Sequence, residues 1–266
     1  MNTKKPQFNV LASAITLPTV LMLLASSIEP VRAVPNDKAL TINSTPAQEI
    51  SLFDPPVDRG APVTEGGASR GGELCNKVTA LQPQDPNIKE NSPFFGVTVA
   101  QQPTFFWYFK TPDKYAGKAL KFTLMEYDAQ SDKTQEIYQA ESFYPETSGV
   151  MAVQIPIELE VGKNYQWYLE MECHPGTSNA ETQSIEGWVE RIETPSELSS
   201  QLSGAKTAIE LTQVYANAGV WFDALNTLAQ ERMTADNPEL QAMWQQLLQD
   251  IQKTSVGDAV FIDHQE

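Results

Sequence analysis

Histidine and cysteine are almost missing from this chain. Two of each occur in 266 residues, which leaves little material for histidine-based catalysis or for a zinc site of spaced Cys and His ligands. Positive charge is short as well: 18 Lys and Arg stand against 34 Asp and Glu, a formal net charge of −16. A surface this acidic repels phosphate backbones and anionic lipid, so nucleic-acid binding and electrostatic membrane docking are not expected. Beyond the first residues no apolar run is long enough to cross a bilayer. Zinc motifs of the His-Glu-x-x-His kind and nucleotide-cradling Gly-rich loops are also missing, and no cofactor is expected. What the chain does have is 41% hydrophobic residues, enough for a packed core.

Lys4 and Lys5 precede an apolar stretch from Phe8 to Leu24, and Val31-Arg32-Ala33 supplies the small-residue cleavage pattern. Residues 1–33 therefore read as a signal peptide rather than a membrane anchor, because Pro18 and several Ser and Thr thin the stretch. The expected product is exported, to the periplasm or outside the cell, with no integral span after cleavage. In an oxidising compartment an even pair of cysteines is most simply a disulfide, Cys75 to Cys173. Cys173-His174 as a metal fragment or activated thiol is the competing reading, but it lacks spaced partners.

Residues 34–72 read as a Pro/Gly-rich linker, broken by Pro35, Pro46, Pro55, Pro56 and Pro62. Its basic points, Arg59-Gly60 and Arg70-Gly71, fit a solvated tether better than an anion-binding loop. Residues 73–194 read as β, with strands over Val78–Leu81, Thr104–Lys110, Ala119–Tyr127, Gln135–Ala140, Gly149–Ile155, Asn164–Cys173 and Ser184–Ile192. Leu120, Phe122 and Leu124 alternate with Lys121, Thr123 and Met125; Tyr165, Trp167, Leu169 and Met171 alternate with Gln166, Tyr168, Glu170 and Glu172. That is the period of half-buried strands, and the run of short strands predicts an antiparallel sandwich. Leu159-x-x-Gly162-x-x-Tyr165-x-Trp167 has the spacing of the tyrosine corner of immunoglobulin-like and fibronectin type III-like sandwiches.

After Pro195 the period lengthens to that of a helix. Leu211, Tyr215, Gly219, Ala224 and Leu228 fall at the offsets of one tetratricopeptide-like hairpin with Gly219 in its turn. Pro238 opens a further helix with an apolar stripe of Leu240, Met243, Trp244, Leu247, Leu248 and Ile251. A single such unit cannot bury its own face, so residues 195–253 are expected to pack on the sandwich, with a partner as the alternative cover, leaving 254–266 as a flexible tail. The fold class expected is mainly β with C-terminal α.

Several of these pieces occur together in one known family. The chain carries Arg70-Gly71 with Cys75, Pro103-Thr104-Phe105 with Trp107-Tyr108, the Leu159 to Tyr168 pattern, Cys173, Gly187-Trp188-Val189-x-Arg191 and Tyr215-Ala216-x-x-Gly219-x-Trp221-x-Asp223-Ala224-Leu225. In these it resembles the cyanobacterial family called domain of unknown function 928, over roughly residues 57–251. The resemblance implies a secreted or periplasmic protein, β-rich and then helical; it brings no activity and no catalytic residue.

His264 is third from the end, so a Ser-His-Asp or Cys-His arrangement would have to use His174; no stretch is read as a nucleophile elbow. Glu170 and Glu172 share a strand face, with Glu190 and Glu193 on or near a later one, and are expected to be a solvated surface. Asp128 and Asp132 suit a turn better than a calcium loop. The aromatics are more telling. Trp107-Tyr108 and Trp167-Tyr168 must each split between two faces of a strand. One member of each enters the core, and Tyr108, Tyr168 and Trp188 are left either beneath the helices or as an exposed ligand platform. The leading expectation is a noncatalytic exported protein that binds or scaffolds an envelope or secreted protein partner. The alternative is a carbohydrate-binding module taking glycan on those aromatics, and a carboxylate-based hydrolase comes third.

Overall fold

The structure, a computed structural model, describes residues 51–262 apart from 63–72, 76, 86, 88–92, 111–114 and 175. The proposed signal peptide, the linker as far as residue 50, Arg70-Gly71 and His264 lie outside the described residues.

The described residues form two sheets followed by four α-helices. One sheet joins β1 (Glu73–Leu74), β2 (Val78–Ala80), β4 (Thr104–Phe109) and β7 (Gly149–Gln154), all antiparallel and in that order. The other runs β3 (Phe94–Thr98), β9 (Glu181–Arg191), β8 (Lys163–Cys173), β5 (Ala119–Asp128), β6 (Lys133–Phe143). Each of the seven expected strands is present, with ends displaced by a few residues at most. Two strands were not foreseen, and one of them corrects the antiparallel expectation: β3 pairs parallel with β9. Its sequence, Phe-Phe-Gly-Val-Thr, is buried at every position, so it has no polar alternation to betray it.

The sheets face each other across an aromatic core. Trp107 of β4 meets Trp167 of β8 edge-on, ring centroids 6.0 Å apart, and Phe105 and Phe122 pack against both or either of them. Trp167 fits because β9 carries no side chain at Gly187, where a Cβ would stand 2.6 Å from the indole. Its Nε1 donates to Gln82 Oε1 (3.0 Å), and Gln82 Nε2 donates to the Trp188 carbonyl (2.6 Å), which satisfies a buried polar group inside the core. Tyr165 accepts a hydrogen bond at its hydroxyl from the Glu160 N–H, 2.7 Å away, the upstream backbone bond its spacing suggested.

Helix α1 is Ser196–Gly204, α2 Ala208–Asn217, α3 Trp221–Thr234 and α4 Pro238–Asp250. Local chemistry sets their starts. Thr207 and Glu210 form a capping box for α2, and Asn237 caps α4 with Pro238 in its first turn. Gly219 makes the α2–α3 turn at φ +71°. Trp221, Ala224, Leu225 and Leu228 of α3 are all buried, as are Leu240, Trp244, Leu247 and Leu248 of α4. Helix α3 packs on β3 and β4: Phe222 stacks edge-on against Phe105 at 5.2 Å, and Trp221 Nε1 donates to the Leu81 carbonyl (2.9 Å). One long side of the sandwich, along β3, is thereby plugged by α3.

Two segments expected to be loose are packed. Residues 51–62, read as linker, dock on the helices and the β3 side. Leu52 and Phe53 both donate to Asp250 Oδ2 at 2.8 Å, Phe53 lies edge-on to Trp221, and Asp85 accepts from the Ala61 N–H at 2.6 Å. Main-chain bonds to carboxylates hold this stretch, and composition alone cannot show those. Residues 254–262, read as tail, form a 3-10 turn at Thr254–Val256 and then pair with β7: Val150 donates to the Val260 carbonyl (2.8 Å), and Ile262 donates to the Val150 carbonyl (2.9 Å). Arg232 lies over the rings of Trp244 and Phe261, at 4.8 Å and 5.2 Å, which anchors that segment to the helices.

Candidate functional site

Cys75 and Cys173 are bonded, with Cα atoms 5.6 Å apart. The bridge ties the turn after β1 to the end of β8, and Cys173 is completely buried. His174 next to it is exposed, and the bonds shown for it are main-chain ones: its N–H donates to the Tyr115 hydroxyl (3.3 Å) and its carbonyl accepts from Thr177 Oγ1 (2.7 Å) and the Thr177 N–H (3.3 Å). No carboxylate orients its ring in any contact of the described residues, so the activated-thiol reading finds no geometry to work with.

The three candidate aromatics do not come together. Trp107 and Trp167 point inward, so Tyr108 and Tyr168 point out of different sheets, on opposite sides of the sandwich. Both are half-buried. Burial first, and then the charge of neighbouring Glu186, pushes the Tyr168 phenol up to about 12. Trp188 corrects the platform expectation outright. It is 3% exposed, packed with Phe95 and Val97 in a second small cluster, with Ala61 of the docked segment and Tyr127 against it. The Arg59–Glu190 ion pair pins that segment beside it, which is where the linker's basic point is used.

Glu172 and Glu193 are exposed, as expected, whereas Glu190 departs from the solvated-surface expectation: its side chain is 13% exposed and its charge is used on Arg59. Glu170 pairs with Lys121 at 3.0 Å. Asp128 accepts from Gln130 N–H and Ser131 Oγ (2.9 and 2.6 Å) and Tyr127 donates to Asp132 (2.9 Å), the bonds of a turn. Among the described residues no group of three or more His, Cys, Asp and Glu is placed to hold a metal ion. Asp223 is different. In the first turn of α3, it accepts from Thr98 Oγ1 (2.7 Å) and the Val99 N–H (3.1 Å) on one oxygen. Burial pushes its carboxyl up to about 6 against the pull of those bonds. It clasps α3 to the end of β3.

One motif was overlooked in the sequence. Gly67-Ala68-Ser69-Arg70-Gly71 has the Gly-x-Ser-x-Gly spacing of a nucleophile elbow. It lies outside the described residues, and the residues that follow it form strand β1, whereas an elbow leads into a helix.

The feature that sequence reasoning missed is a cleft of about 290 Å³ on the long side of the sandwich left open between edge strands β6 and β7. Trp107, Phe122 and Met151 line its floor, and Tyr138, Ala140 and Ser142 of β6 line one wall. It exists because of register: small Ala140 and Ser142 sit opposite Phe122 and Leu120, so β6 does not fill the space its neighbours leave. That pairing of small against large was the one signal available. Apart from the Tyr138 phenol, the lining carries no ionisable side chain. Such a surface grips apolar groups and offers no carboxylate, imidazole or amine.

Among curated proteins none matches this chain in sequence. A family model does: the one described as Domain of Unknown Function (DUF928) matches residues 65–260, a span that takes in both sheets and all four helices, and the chain belongs to that family.

Proposed function

We propose that the chain is an exported, noncatalytic module that binds or scaffolds another protein of the envelope or secreted fraction. The observation that carries this reading is the cleft between β6 and β7: an apolar, aromatic hollow with hydroxyl and amide groups at its edge, suited to contact and not to proton transfer. The Cys75–Cys173 bridge supports export, since such bonds persist in oxidising compartments. The Tyr165 hydroxyl bond supports reading the two sheets as an immunoglobulin- or fibronectin type III-like sandwich, and the Gly219 turn supports reading α2 and α3 as a tetratricopeptide-like hairpin. A glycan platform of Tyr108, Tyr168 and Trp188 has no comparable support, because two lie on opposite faces and the third is buried.

The test is mild crosslinking in native extract, purification and mass spectrometry of what is captured. A reproducible envelope or secreted protein is the expected result. Recovery of glycan only, or of nothing above background, overturns the reading.

A further inference from the structure

We propose that the β6–β7 cleft takes an extended peptide of the partner, which adds to the edge of β7 and buries one large apolar side chain between the sheets, with basic residues flanking it. This rests on the protein-binding reading above. The edge of β7 already accepts a strand from this chain. Phe261 pairs in parallel with Val150, and both main-chain groups of Val150 are used by Val260 and Ile262. A strand turns its main-chain groups to alternate sides, so those of Ala152 and Gln154 face the same way as those of Val150, away from β4. Ala152 and Gln154 also line the cleft. Donors, acceptors and an apolar hollow therefore coincide one step past the point where the chain's own strand pairs. The four residues after Ile262 are Asp, His, Gln and Glu, none of which suits an apolar hollow.

Size and charge select the occupant. The volume is at the bottom of the range for small-molecule sites, about 300 to 1,000 Å³, and suits a side chain better than a whole cofactor. A lipid tail would fill it but bring no main-chain groups to Ala152 and Gln154, whereas strand addition supplies both. The chain's net charge of −16 favours Lys or Arg among the residues that flank the buried one.

Selection of phage-displayed ten-residue random peptides on the purified, disulfide-intact protein tests this. Enriched peptides should alternate apolar and polar residues around one Trp, Phe, Leu or Met, with flanking Lys or Arg. Ala140→Trp and Ser142→Leu, which fill the hollow from β6, should each weaken synthetic copies about tenfold or more. N-methylation of alternate peptide residues should weaken binding to the unaltered protein in one register only, a measurement that needs no variant to fold. No enrichment, equal binding to folded filled variants, or indifference to N-methylation overturns the proposal. So does radiolabelled palmitate binding that the filled variants lose while no peptide is enriched. If the filled variants still capture the crosslinked partner, the cleft is refuted and the protein-binding reading stands; if the unaltered protein captures neither partner nor peptide, both fall.

Discussion

Gly187 on β9 lies against Trp167 on β8 so closely that a methyl group at position 187 would come within 2.6 Å of the indole and 2.7 Å of Phe94 Cβ. The indole has nowhere to retreat, because it is held at Nε1 by Gln82 and packed by Phe105 and Trp107. Gly187→Ala should therefore destabilise by about 1 to 3 kcal/mol, the range for overpacked cores. Urea unfolding checks it: the midpoint should fall with the slope unchanged. Gly162, whose added Cβ meets nothing within 4 Å but whose φ is +79°, provides a contrast, since an alanine there is strained by backbone alone.

Asp223 makes stability depend on pH in an uncommon direction. Its folded carboxyl titrates at about 6 against an ordinary 3.8, so between those values the folded protein holds a proton that the unfolded chain has released. Stability then falls as pH rises through that window, by on the order of 3 kcal/mol in all. Asp223→Asn keeps an oxygen for Thr98 and Val99 and removes the titration. The variant should lose this slope and be as stable as the parent, or more so, at pH 7. Unfolding both proteins at pH 4.5 and pH 7 isolates the effect; equal pH dependence would assign the slope to other groups.

Asp250 holds residues 52 and 53 through one carboxylate oxygen, with its other oxygen accepting from Gln246. Asp250→Ala strands two amide donors beside buried Phe53, at a cost of about 1 to 3 kcal/mol for unmade bonds. Because the lost contacts are local, release should be local too. Hydrogen exchange at Leu52 and Phe53 should quicken, and Trp188, beneath the far end of the same segment, should become more accessible to a fluorescence quencher. Unchanged exchange would mean that the Phe53–Trp221 contact suffices to hold the segment.

How much of this was legible in the sequence follows from how each part is held. Strands β5 and β8 bury one face and so alternate; α4 buries one stripe and so repeats at helical spacing. Both were readable. Strand β3 is buried on both faces and shows no alternation, and α1 buries only Leu198, so neither announced itself. The segment at 51–62 is positioned by main-chain groups on Asp250 and Asp85, which could bond to any residue with an N–H, and by Phe53 and Arg59, whose partners Trp221 and Glu190 lie far off in sequence. The cleft is space between registers. Its only trace is Ala140 and Ser142 where larger residues would close the sandwich, and that becomes informative only once β6 is aligned with β5.

The bridge between Cys75 and Cys173 closes a loop of 98 residues. In the chain-entropy model a closure of that size stabilises by about 4 to 5 kcal/mol, a large share of the roughly 5 to 15 kcal/mol by which domains are stable. Replacing both cysteines with serine should lower the unfolding midpoint sharply, and the slope should hold or rise because the unfolded chain expands further. Reductant should do the same to the parent and nothing to the double variant. The compartment argument turns on this difference. A chain that depends on its bridge should accumulate folded when expressed in an oxidising compartment and poorly in a reducing one, whereas equal yields would remove the strongest physical reason for placing it outside the cytoplasm.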